Sequence, residues 1–221
     1  MTYRFSNQIS ALMTVAGLLT STGAWAKGTA AAPVTATTTP AARKAVATSS
    51  DPRKFIEELY QHLNELSKKT ADLTALHKVI GDDLETVVDF AEMARLTLPG
   101  KWDTLVDAQK TEFTGLLTKM VRNTYVKRWK PGNPVEIQYG KVATPAGDKA
   151  DVATTITVNK TSAEVLYKLH QSGGHWLVWD IVVDDASQVQ TYRSSFKKVL
   201  EREGWDGLIK RMKKAADKKA A

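Results

Sequence analysis

The hydrophobic period changes twice along this chain, and those two changes confine the fold more than any other feature. Up to Trp129 apolar residues recur at three- and four-residue spacing, the mark of helices with one buried stripe. Phe55, Leu59, Leu63 and Leu66, with Ile56 beside them, form the first such stripe, opened by Asp51-Pro52 as N-cap and first helical residue. Leu73, Leu76, Val79 and Ile80 predict a second, shorter helix that Gly81-Asp82 breaks. Residues 83–98 are apolar on more than one side, stop at Pro99-Gly100, and leave Trp102 on a loop. A long helix follows from about Asp107 to Trp129, with Lys127, Arg128 and Lys130 at its end to complement the macrodipole. At Pro131-Gly132 the period becomes two: Val135, Ile137 and Tyr139, then Val152, Thr154, Ile156 and Val158, then Val165, Tyr167 and Leu169, then His175–Val183. Pro145–Asp148 and Ser172–Gly174 read as turns, so these are four antiparallel strands in a meander. Helical spacing returns at Val189, Tyr192, Phe196 and Val199, and after Gly204 at Trp205, Leu208, Ile209 and Met212. The pattern predicts an α+β domain with helices packed on one side of a twisted four-stranded antiparallel sheet.

The N-terminus sets the compartment. Arg4 precedes a short apolar run, Ile9–Leu19, and Ala24-Trp25-Ala26 has the small-x-small pattern of a signal-peptidase site. Eleven residues are too few for a spanning helix, which needs about 20. Residues 1–26 are therefore expected to be a signal peptide and the remainder a periplasmic or otherwise exported protein. Residues 27–50, rich in Ala, Thr and Pro, read as a flexible leader with too little to bury. The folded domain is expected at 51–212 and a basic tail at 213–221. The chain has no cysteine, which excludes disulfides, thiolate chemistry and cysteine-held metals. Its formal charge of +7 sits in the flanks: Lys27, Arg43 and Lys44 before the domain, and Lys210, Arg211, Lys213, Lys214, Lys218 and Lys219 near its end. The body is close to neutral, a distribution that disfavours nucleic acid binding.

Signatures of catalysis are missing: no nucleophile elbow, phosphate-binding glycine loop or paired metal-ligand histidines. His170 and His175 flank the Gly-Gly turn and read as a surface pair. Asp180 is an acid within an apolar strand, costly if buried alone; pairing with Arg95 or Arg193 is the expected remedy. Asp184 or Asp185 is expected to cap the following helix. Trp176 and Trp179, three apart on one strand, should point to opposite faces of the sheet.

Two longer stretches carry a resemblance. Asp89-Phe90-Ala91-Glu92-Met93-Ala94-Arg95-Leu96-Thr97-Leu98, with Gly100 and Trp102, and then Phe113 to Tyr125, form the first. Trp176 to Val183, with Ser187, Val189, Gln190, Tyr192-Arg193-Ser194, Phe196 and Gly204-Trp205-Asp206-Gly207-Leu208, form the second. Over roughly 55–212 the chain resembles the periplasmic phospholipid-binding component of the system that maintains outer-membrane lipid asymmetry, the toluene-tolerance family. It departs from the family pattern at Pro99, which intervenes before Gly100, and at Asp185, where glycine is usual. The resemblance implies a cone-like, NTF2-like lipid cavity between sheet and helices. It implies phospholipid as cargo with no cofactor and no metal, and as partners an outer-membrane lipoprotein complex and the substrate-binding subunit of an inner-membrane ABC transporter. The expected cavity wall is Phe90, Met93, Leu96, Leu98, Phe113, Leu117, Tyr139, Ile156, Trp179, Ile181, Val189, Tyr192 and Phe196, with Arg95 and Arg193 at the rim or paired with Asp180. Two alternatives stand beside it: an acid–base enzyme using Asp180 with a histidine, and an envelope protein that only binds another protein.

Overall fold

The computed structural model describes residues 46–158 and 160–217; the signal-peptide reading at 1–26, most of the leader and residues 218–221 lie outside them. The part of the leader within them, 46–50, lies against the domain. Ala47 is buried, the Thr48 and Ser49 amides donate to Glu58 Oε2 (2.8 and 3.1 Å), and the Trp176 indole donates to the Ser50 carbonyl (2.7 Å).

Helix α1 spans Pro52–Lys69, with Asp51 accepting from the Lys54 amide (2.9 Å) as the Asp-Pro pair predicts. Helix α2, Leu73–Val87, is capped by Asp72 and runs straight through Gly81-Asp82. The expected break is therefore wrong, and its reason is steric. A Cβ on Gly81 would stand 2.3 Å from Arg122 Nε, so the glycine makes room for a guanidinium that reaches Asp82 and Glu85. The chain leaves the helix at Val88-Asp89. Val88 bridges Val178, the Asp89 amide donates to the Val178 carbonyl (2.9 Å), and Asp89 Oδ1 caps helix α3, Phe90–Thr97. Gly100, at φ +75°, follows the helix end, and Trp102–Thr104 is a single 3₁₀ turn. Helix α4 covers Asp107–Val126, three residues short of Trp129, which is nonetheless fully buried.

Strands β1 (Glu136–Ala146), β2 (Lys149–Val158), β3 (Thr161–Ser172) and β4 (His175–Val183) form the antiparallel meander. Gly147-Asp148 joins β1 to β2 and Gly173-Gly174 joins β3 to β4 within the two expected turns, the first of which is shorter than expected because Pro145 and Ala146 belong to β1. A two-residue β5, Ala186–Ser187, extends it to five strands in sequence order. One face carries buried Ala150, Val152 and Thr154 of β2 and Val165, Tyr167 and Leu169 of β3, and α1 packs toward it through Tyr60. The opposite face, with Glu164, Leu166 and Lys168, is partly or fully exposed. Alternation along β4 breaks once. Leu169 pairs with Val178 and Lys168 with Asp180, leaving Trp179 without a partner. This bulge shifts the side-chain phase by one, so Trp176 and Val178 before it and Ile181 and Val183 after it all lie opposite buried or core-side positions of β3.

Helix α5, Gln188–Ala216, bends sharply at Gly204 (φ +68°, ψ −169°) into the two segments that the spacing predicts. Ser187 caps it by accepting from the Gln190 amide (3.1 Å); neither Asp184 nor Asp185 does. The helix carries through the expected tail as far as Ala216, whose carbonyl accepts from Asn123 Nδ2 (2.9 Å), with Met212 and Ala216 buried.

Candidate functional site

The space between helices and sheet is packed by two aromatic groups. At one end wholly buried Phe113 of α4 meets Phe196 (5.4 Å between centroids, edge-on), Trp205 (6.0 Å) and Trp102 (6.3 Å), and Phe196 stacks on Tyr192 (5.5 Å). At the other, Tyr60, Tyr125 and Trp129 cluster, and the Tyr60 and Tyr167 hydroxyls share a short hydrogen bond. Burial pushes the phenols of Tyr60, Tyr125, Tyr167 and Tyr192 up, so all four are neutral hydroxyls in an apolar surround.

Between these groups a narrow cleft of about 50 Å³ opens where α3, α4, β4 and the start of α5 meet. Its walls are Met93, Val121, Thr124, Tyr125, Arg128, Ile181, Gln188 and Tyr192. Of the expected wall residues the cleft brings together Met93, Ile181 and Tyr192. Phe90, Leu98, Phe113, Leu117, Val189 and Phe196 are buried in the core and do not line the cleft, and Leu96 is half-buried at the core's margin. Tyr139 and Ile156 lie away from it on β1 and β2. Arg53 of α1 stands 5.7 Å over the Tyr139 ring, and burial together with Glu57 pushes that phenol up to about 12. Trp179 is on the opposite face of the sheet, where the Lys168 amine lies 5.9 Å from its ring, so it lines no part of this interior. Val121 and Tyr125 belong to the α4 stripe legible in the sequence. Thr124, Arg128 and Gln188 carry no apolar periodicity; the sequence pattern marks Arg128 only as a base at the end of a helix, and Thr124 and Gln188 not at all.

Neither arginine expected near Asp180 is there. Arg95 chelates Glu92 one turn back on α3 through Nε and Nη2 (2.7 Å each), and Arg193 is exposed. Asp180 is 3% exposed and its oxygens are satisfied locally: Oδ1 accepts from the Ile181 and Val189 amides (2.9 and 3.0 Å), Oδ2 from the Ser187 hydroxyl (2.6 Å). The carboxylate thus sits against the first turn of α5 and neutralises the positive end of that helix from inside. Burial pushes its carboxyl above the ordinary range, while the three donors pull it back down.

The histidines do not converge. His170 Nε2 bonds Asp89 Oδ2 (3.0 Å) and fastens the α3 cap to β3, rather than facing His175, which pairs in register with Ser172. His62 bonds Asp83 (2.9 Å) and His77 the Trp129 carbonyl (3.0 Å). Among the described residues no three His, Asp or Glu side chains gather as a metal site, and no helix is long and apolar enough to cross a membrane.

A solved structure of the phospholipid-binding protein from Ralstonia solanacearum, in complex with a phospholipid, has the same fold. Its TM-score is 0.66 at 15% identity, over 73% of this chain and 94% of that one. No curated protein sequence matches the chain. The family model described as MlaC protein matches residues 53–214, which takes in both signature stretches and every element from α1 to the end of α5 but the last residues. The chain belongs to the MlaC family.

Proposed function

We propose that this protein is a periplasmic phospholipid carrier that shuttles lipid between outer- and inner-membrane complexes. The observation that carries the reading is the cleft: a seam between sheet and helices of an MlaC-family domain, lined by Met93, Val121, Ile181 and Tyr192 and backed by a largely apolar core. A carrier of this kind needs no reacting residue. Two acyl chains of about 15 methylenes gain roughly 25 kcal/mol against water, but they come from a bilayer and return to one, so the useful affinity is a small difference. A dry, deformable interior meets that need, and methionine and large aromatics supply it.

At about 50 Å³ the cleft has room for one or two waters, against roughly 300–1,000 Å³ for a pocket holding a drug-sized ligand. Tails therefore enter by parting the seam, and the cone-like cavity is the interior with α3 and α5 displaced from β4. Phe113, Leu117, Val189 and Phe196 then become wall, as do Phe90 and Leu98 at the α3 end. The partners that fit are an outer-membrane lipoprotein complex and the substrate-binding subunit of an inner-membrane ABC transporter, reached through the surface around the seam. Transfer of a fluorescent phospholipid between donor and acceptor vesicles tests the reading. The wild-type chain accelerates transfer, and Ile181→Trp, which fills the seam, abolishes most of that acceleration while circular dichroism stays native. Equal transfer by both folded proteins overturns the placement of the site.

A further inference from the structure

We propose that the Tyr192 hydroxyl donates a hydrogen bond to an acyl ester carbonyl of the cargo, so that the carrier holds ester-linked lipids in preference to ether-linked ones. This rests on the carrier reading above and concerns the linkage between tail and glycerol, whatever headgroup the lipid bears. Six hydroxyl-bearing side chains are buried among the described residues: Tyr60, Ser67, Thr97, Thr154, Tyr167 and Tyr192. Five of them are hydrogen-bonded. Tyr60 and Tyr167 bond to each other, and Ser67, Thr97 and Thr154 donate to the carbonyls of Lys130, Ala94 and Val165 (2.7, 2.8 and 3.0 Å). The Tyr192 hydroxyl has no hydrogen-bond partner among the described residues, although the residue is only 6% exposed. A buried hydroxyl without a partner is costly, and native structures rarely keep one without a use.

The position of Tyr192 supplies that use. It lines the cleft, and its ring is stacked on Phe196 (5.5 Å between centroids), so a packed aromatic pair holds the hydroxyl in place. Burial pushes this phenol up, which keeps it a neutral group with a proton to donate. The other hydroxyls on the cleft wall face elsewhere: Thr124 Oγ1 donates to the Met120 carbonyl (2.9 Å), and Tyr125 packs with Trp129 in the second aromatic group. Gln188 lines the same cleft one turn before Tyr192 on α5, so both polar groups lie on one stripe of that helix. Met93, Val121 and Ile181 complete the wall with hydrocarbon. An acyl tail in such a seam brings methylenes to the apolar side. At its head end it brings an ester carbonyl, which accepts a hydrogen bond and cannot donate one. Cargo that seals the cleft shuts water away from the hydroxyl and must offer an acceptor of its own. An ester carbonyl does so; an ether linkage has no carbonyl and leaves the hydroxyl unmade.

The test loads the full chain from vesicles holding equal amounts of a diester and a diether phosphatidylcholine of matched chain length, then quantifies both lipids on the re-isolated protein by mass spectrometry. The wild type retains the diester over the diether by about five-fold, the ratio for one neutral hydrogen bond. Tyr192→Phe, which keeps the ring and its stacking, brings that ratio near one. Tyr192→Met, which removes the ring as well, does the same. A wild-type ratio near or below one overturns the proposal whatever the variants do. So does a folded Tyr192→Phe or Tyr192→Met protein that keeps the wild-type ratio. Absence of both lipids from the wild type overturns the carrier reading itself, and this assignment with it.

Discussion

Replacing Asp180 with alanine and with asparagine separates a structural carboxylate from a reactive one. In Asp180→Ala two backbone amides, Ile181 and Val189, lose their acceptor in a nearly dry site, while the Ser187 hydroxyl can turn toward another acceptor. A buried donor left unmade costs about 1–3 kcal/mol, and release of the buried carboxylate returns part of that, so the net loss is about 2–4 kcal/mol. Asp180→Asn presents an oxygen to both amides and an N–H to Ser187 Oγ, and is expected to cost less than about 1 kcal/mol. Urea unfolding at neutral pH measures both. The pH dependence carries a sign of its own. Burial raises this carboxyl in the folded protein, so the folded state holds the proton more tightly than the unfolded one. The group's contribution to stability is therefore greatest below its unfolded pKa, about 3.9, and declines as pH rises through the higher folded value. Asp180→Asn removes that decline. An asparagine variant as unstable as the alanine one would refute the account, because it would mean that charge, and not acceptor geometry, is what the site needs.

Two further substitutions probe local geometry. Asp185 sits at φ +66° in the turn between β4 and β5, a backbone conformation that favours glycine, so Asp185→Gly should raise the urea midpoint by an amount equivalent to about 1 kcal/mol. Asp184→Gly should gain less or lose, because Asp184 Oδ1 also accepts from the Glu164 amide (3.1 Å). Gly81→Ala should destabilise the wild type by driving Arg122 off Asp82 and Glu85, yet stabilise an Arg122→Ala background by about 1 kcal/mol of helix propensity. The same sign in both backgrounds would show that the glycine is not there for the guanidinium.

What was legible in the sequence follows what periodicity can encode. The shift from three-and-four spacing to alternation at Pro131-Gly132, and back at Val189, separates the helical from the strand regions, and the Asp51-Pro52 cap marks the start of the first helix. Gly81 misleads because a glycine that admits a guanidinium and a glycine that ends a helix look alike until Arg122 is placed. The bulge at Trp179 is equally silent: alternation counted through it assigns Trp179 to the cavity, whereas the inserted residue carries that side chain to the outer face and brings Ile181 inward. The expected arginine partner of Asp180 is replaced by three donors, two of them backbone amides, which no side-chain pattern reports. The apolar half of the cleft came from stripes on α3, α4 and α5. Its polar half, Thr124, Arg128 and Gln188, depends on the angle at which α4 ends against α5, and only the tertiary structure sets that.

The most direct measurement is native mass spectrometry of the protein purified without detergent from the periplasm, followed by solvent extraction of whatever it carries. A carrier whose interior admits hydrocarbon should arrive with close to one phospholipid per chain. A folded protein that arrives with no acyl lipid, and takes none from vesicles, would contradict the central claim.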